Sequence, residues 1–112
     1  MDLEIVTFDE IRRGHLVRKT AREAYDYAIN RGGASAAYCS SSSYQRDEFN
    51  KAFDAVFREY LEKKFGIIGN LVELSRIIPK IPKPIVRCFS EGFEEGYSEV
   101  LHANLIDDHL DF

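Results

Sequence analysis

The chain reads as an all-α domain, an irregular bundle of four to five helices around a long central helix with an aromatic face. Two patterns and a set of stop signals predict this. Taking Phe49 as the zero of angle and advancing 100° per residue, Ala52, Phe53, Val56, Phe57 and Tyr60 fall within an arc of roughly 140°, the width of a core-facing stripe. A second set, Ile85, Val86, Phe89, Gly92, Phe93, Gly96, Tyr97, Val100 and Ala103, shares one face of another helix. Glycines and prolines punctuate the chain between these periodic stretches.

The first residues, Met1 to Val6, are compatible with an extended arm or a short strand. Thr7 and Glu10 have capping-box spacing, which starts a helix at Phe8. Phe8 and Ile11 project to one side, whereas Val17, Ala21, Ala24, Tyr25 and Ala28 project to nearly the opposite side. A kink or break near Gly14 follows, because glycine is about 1 kcal/mol worse than alanine inside a helix. The longer helix, over residues 16–30, is expected to end at Gly32 and Gly33, and residues 32–43 to form a small-residue loop.

Ser42 and Gln45 have the spacing to cap the central helix, about 43–65. Lys63 and Lys64 suit its negative end, and Gly66 suits the left-handed residue that closes it. Asp47 with Lys51, Asp54 with Arg58, and Glu59 with Lys63 are acid-to-base pairs four apart, each worth about 0.2–0.5 kcal/mol. Asn70 with Glu73 starts a short helix that buries Leu71, Leu74 and Ile77 or Ile78 before Pro79. Pro79 to Pro84 is a stiff basic connector, and Pro84 opens the last helix.

Two glycines on the apolar face of that last helix, Gly92 and Gly96, imply the close approach of another helix. The central helix, through the Phe89, Phe93 and Tyr97 face, is the expected neighbour. Residues 107–112 are an acidic tail with Leu110 and Phe112 interspersed.

A chain of 112 residues fits one domain and buries enough surface for a core without staples. No apolar run reaches the ~20 residues that span a bilayer, so no membrane partner is expected. Two cysteines, Cys39 and Cys88, without CxxC or Cys/His spacing, read as free thiols in a reducing cytoplasm.

Charge is unevenly spread. Residues 1–45 hold six acids and six bases, residues 46–87 six acids and nine bases, and residues 88–112 seven acids and no Lys or Arg. The net charge of −4 weighs against a dedicated nucleic-acid binder.

No GxSxG, HExxH or phosphate-cradling motif is present, so no catalytic residue is assigned and an enzyme is not expected. Glu99 and His102 have Glu-x-x-His spacing, but a di-metal bundle needs a second such pair, so neither metal nor cofactor is expected. His109 beside Asp107 and Asp108 lies in the tail, where adventitious ion binding is the better reading.

Two surfaces remain. Glu91, Glu94, Glu95, Glu99, Asp107 and Asp108 make an acidic face suited to a basic protein partner, including one that ordinarily holds nucleic acid. A small, non-enzymatic, cytoplasmic inhibitor or regulator is the leading expectation, of the class that phages and other mobile elements carry. The alternative is a nucleic-acid face made by Arg12, Arg13, Arg18, Lys19 and Arg22, with His15 alongside. A homo-oligomeric scaffold, joined through Gly92 and Gly96 of two copies, is a third expectation.

Overall fold

The computed structural model describes residue 11 and residues 14–38, 45–66 and 76–110, with side-chain detail for residues 11, 16–38, 45–66 and 76–103. Its regular structure is entirely helical. Helix α1 spans Gly14–Ala37, α2 spans Arg46–Phe65 and α3 spans Lys83–Leu110. A short 3-10 turn, Ile78–Lys80, precedes α3. Three helices are therefore seen among the described residues, against the four or five expected. The arm or strand at Met1 to Val6, the cap at Thr7, most of the segment around the Gly14 break and the short helix from Asn70 lie outside the described residues.

The central helix owes its form to the expected pattern. Val56, Phe57 and Tyr60 are buried, joined by Leu61 and Lys64, while Phe49, Ala52 and Phe53 pack at the edge of the core. Its aromatic rings lie edge-on to those of α3. Phe49 meets Tyr97 at 5.0 Å, Phe53 meets Phe93 at 5.2 Å and Phe57 meets Phe89 at 4.9 Å, all at steep interplanar angles. Such edge-to-face pairs add about 0.5–1.5 kcal/mol each beyond area burial. Partner numbers fall along α3 as they rise along α2, so these two helices run antiparallel.

Gly66 closes α2 in the left-handed region, with φ 66°, and its N–H donates to the carbonyls of Glu62 and Leu61. The helix begins later than expected. Gln45, with extended backbone, stands at the N-cap and Asp47 and Glu48 fill the first turn, where their charges favour the positive end of the dipole. Ser42 lies outside the described residues.

The first and last helices form the most intimate contact. A Cβ added at Gly92 would lie 2.6 Å from the Tyr25 carbonyl oxygen, and one at Gly96 would lie 2.9 Å from the Ile29 carbonyl carbon. In return, a Cβ at Gly32 would lie 3.1 Å from the Phe93 carbonyl carbon. Residue 25 thus faces 92, 29 faces 96 and 33 faces 100, a constant offset that makes α1 and α3 parallel. Along α1 a buried row of small residues, Ala24, Ala28, Gly32 and Ala36, recurs every fourth position. Small side chains at that spacing let two backbones approach closely.

Several expectations are corrected by this seam. The neighbour of Gly92 and Gly96 is α1, not the central helix, which reaches α3 through long aromatic side chains instead. Both glycines are buried within the chain, so this face is not the one a second copy would use. Gly32 and Gly33 do not end the first helix. Packing against α3 rewards a missing Cβ there and outweighs the propensity cost of about 1 kcal/mol per glycine, and the helix runs on to Ala37.

The remaining corrections concern ends. The connector from Pro79 opens within a 3-10 turn, and Ile81, extended and 3% exposed, pins it to the core. The last helix continues through residues 107 and 108 to Leu110, so the expected tail is mostly helical. On α3, Leu101 is buried and Ala103 is exposed, shifting the apolar face slightly from the projected one.

Gly96→Ala tests the seam. A glycine-to-alanine change in an ordinary helix stabilises by about 1 kcal/mol; here overpacking is expected to cost about 1–3 kcal/mol, read as a lower urea midpoint. Gly33→Ala, whose Cβ would meet only the Val100 methyl at 3.2 Å and a carbonyl at 3.6 Å, is expected to be near neutral.

Candidate functional site

Burial of Phe89, Gly92, Phe93, Gly96 and Tyr97 on one side of α3 dictates what the other side shows. Glu91, Glu95 and Glu99 are exposed in a row at four-residue spacing, with Glu94, Ser98 and His102 beside them, also exposed. None of the four glutamates makes an ion pair among the described residues. Asp107 and Asp108 lie on the same helix, but their side chains are outside the described residues.

One of these carboxylates is tied down. The Tyr25 hydroxyl, reaching from α1 across the notch at Gly92, donates a hydrogen bond to Glu95 Oε2. That bond, followed by partial desolvation and the charges of Glu95, Glu99 and Glu91, pushes the phenol up to about 12. The glutamates therefore act on Tyr25 together, as a shared negative field. Nothing in the local sequence signals this contact, because its partners lie 70 positions apart.

The basic residues of α1 are divided. Arg18, Lys19 and Arg22 are exposed, while the side chains of Arg12, Arg13 and His15 lie outside the described residues. Arg18 and Arg22 flank an apolar groove.

A third polar cluster lies between α1 and α2. Lys64 Nζ, on a side chain only 4% exposed, bonds Glu23 Oε2 at 2.6 Å. Glu59 receives Lys63 at 2.8 Å and Arg31 at 3.1 Å, and the Lys63 bond is the main reason its carboxyl is held below the usual range. Arg31 and Lys63 also stand 5.5 and 5.9 Å from the Tyr27 ring centroid. Burial, then the charge of Glu23, pushes the Tyr60 phenol up, and its hydroxyl has no hydrogen-bond partner among the described residues.

These groups join α2 to α1 in an antiparallel register, 23 with 64, 27 with 60 and 31 with 59. Their bonds and ring contacts tie the C-terminal half of α2 to α1. Sequence reasoning placed Lys63 and Lys64 together at a helix end; only the tertiary fold separates an exposed Lys63 from a buried Lys64.

Among the described residues, no three His, Cys, Asp or Glu side chains converge as a metal site requires. Glu99 and His102 are both exposed. Cys88 is a free thiol, and Cys39 lies outside the described residues. No helix among the described residues is long and apolar enough to cross a membrane. No protein-family model, curated protein or solved structure matches the chain.

Tyr25 offers a direct readout of the acidic field. Its folded pKa, about 12, exceeds the ordinary 10.0, so the contact contributes fully below pH 10 and is lost as pH rises towards 12. Glu95→Gln is expected to bring the Tyr25 titration down towards 10, measured by NMR of carbon-13-labelled tyrosine. An unchanged titration would contradict the Tyr25–Glu95 bond.

Proposed function

We propose that this chain is a non-enzymatic protein-interaction module that acts by occupying a basic surface of a protein partner with the acidic ridge of α3. The observation that carries this reading is the set Glu91, Glu94, Glu95 and Glu99, exposed on one helix face with no ion-pairing cation among the described residues. No lysine or arginine occurs anywhere in residues 88–112 to neutralise them.

The physics of such a ridge is steering followed by pairing. Like charges held at one-turn spacing create a local field that speeds encounter with a cationic patch and rejects anionic ones. The opposite face of α3 is locked between α1 and α2, so the carboxylates are presented on a fixed backbone and lose little freedom on binding. A surface that ordinarily contacts nucleic-acid phosphates is the natural target, and inhibition or regulation by occupation is the corresponding activity. Asp107 and Asp108 extend the same helix and are included in the proposed contact set.

Charge reversal tests the reading without disturbing the fold. Glu95 is left intact because it holds Tyr25. Glu91→Lys, Glu94→Lys and Glu99→Lys together are expected to weaken partner capture from a host lysate at least about tenfold, since like-charge juxtaposition costs several kcal/mol, while the helical CD signal is retained. Undiminished capture by a folded variant would overturn the proposal.

A further inference from the structure

The parallel seam between α1 and α3 continues below the Tyr25–Gly92 step with the same offset, to 21 facing 88 and 17 facing 84. There the side chains are Ala21 and Cys88, then Val17 and Pro84, and they leave the seam open. A groove of about 710 Å³ results, with these four residues and Tyr25 as its apolar lining. Its volume is within the range of about 300–1,000 Å³ typical of small-molecule sites.

The charge around the groove is polarised. Arg18 and Arg22 border it, both exposed and without an ion-pair partner among the described residues. Pro84, in the first turn of α3, brings the positive end of that helix's dipole to the same mouth. At the far end, Tyr25 is bonded to Glu95. An occupant with a negative head at the Arg18 end and an uncharged body running towards Tyr25 matches this arrangement.

The walls decide between a peptide and a simpler chain. Both are helices whose backbone groups past the first turn are bonded internally, and the Tyr25 hydroxyl is already engaged. An extended peptide would bury its own N–H and C=O groups there without partners, at a cost of kilocalories per group. An alkyl chain has none to satisfy. From Val17 to Tyr25 the groove runs eight helical residues, about 12 Å, enough for a chain of medium length.

We propose that this groove binds a free medium-chain fatty-acid-type anion, with its carboxylate held by Arg18 and Arg22 and its chain lying over Ala21 and Cys88. The site meets the acidic ridge only at Tyr25 and uses none of its carboxylates.

Cys88 makes the groove testable. In a Cys39→Ser variant it is the sole thiol, and its alkylation by the uncharged reagent iodoacetamide reports occupancy. Decanoate, below its micellar concentration, is expected to slow alkylation saturably and to bind about tenfold more tightly than 1-decanol, the scale of one charge-assisted contact. Arg18→Gln with Arg22→Gln is expected to remove that preference while CD stays unchanged. Isothermal titration of decanoate into the unaltered protein provides the independent measurement. Absence of decanoate binding there would overturn the proposal. So would equal affinity for acid and alcohol, or protection that rises with protein concentration alone alongside a dimer in sedimentation, which would make a second copy the occupant.

Discussion

The close approach of α1 and α3 is the constraint on which the rest of the structure depends. Missing Cβ atoms at Gly32, Gly92 and Gly96 let one backbone rest on the other, and the buried row Ala24, Ala28, Gly32 and Ala36 keeps the first helix thin along the whole seam. Each glycine weakens its own helix by about 1 kcal/mol, so the arrangement is stable only as a pair. Once paired, the two helices present a common flank, and α2 lays Phe49, Phe53, Phe57 and Tyr60 over the α3 part of it. The small-residue contact sets the geometry, and the aromatic contact adds the large apolar side chains of the core.

The surface chemistry follows from the same pairing. With one side of α3 against α1 and the next against α2, the row of glutamates is left outward, with Ser98 and His102 beside it. Because α1 and α3 are parallel, both begin at one end of the molecule, and Arg18 and Arg22 border the groove between them there. The acidic ridge lies farther along α3. Tyr25 marks the boundary, with its ring lining the apolar groove and its hydroxyl bonded to Glu95 of the ridge.

Much of this was legible from periodicity. The faces of the central and last helices, the Gly66 stop and the outward glutamates all follow from 3.6-residue spacing and local capping chemistry. What periodicity does not contain is the identity of the opposing surface. Gly92 and Gly96 announce a close neighbour, yet a notch in one helix is equally consistent with any thin helix. The clue to the neighbour was Gly32 and Gly33, which resemble a terminator when propensity alone is considered, because the gain from tertiary contact is invisible locally. Lys64 with Glu23 and Tyr25 with Glu95 were beyond reach for the same reason, being joined across 41 and 70 positions. The groove was hidden too, since it arises from the α1–α3 register rather than from any motif.

The parallel register is therefore the claim to test most directly, and pulsed EPR between exposed positions does so. In a background without Cys39 and Cys88, one spin label at Arg22 is paired with a second at Arg87 or at His102. Positions 87 and 102 are about 22 Å apart along α3, so the parallel seam, in which 22 lies level with 89, predicts a short 22–87 distance and a 22–102 distance longer by on the order of 10 Å. The reverse order, with 102 nearer to 22 than 87 is, would contradict the register and with it the placement of both the groove and the ridge.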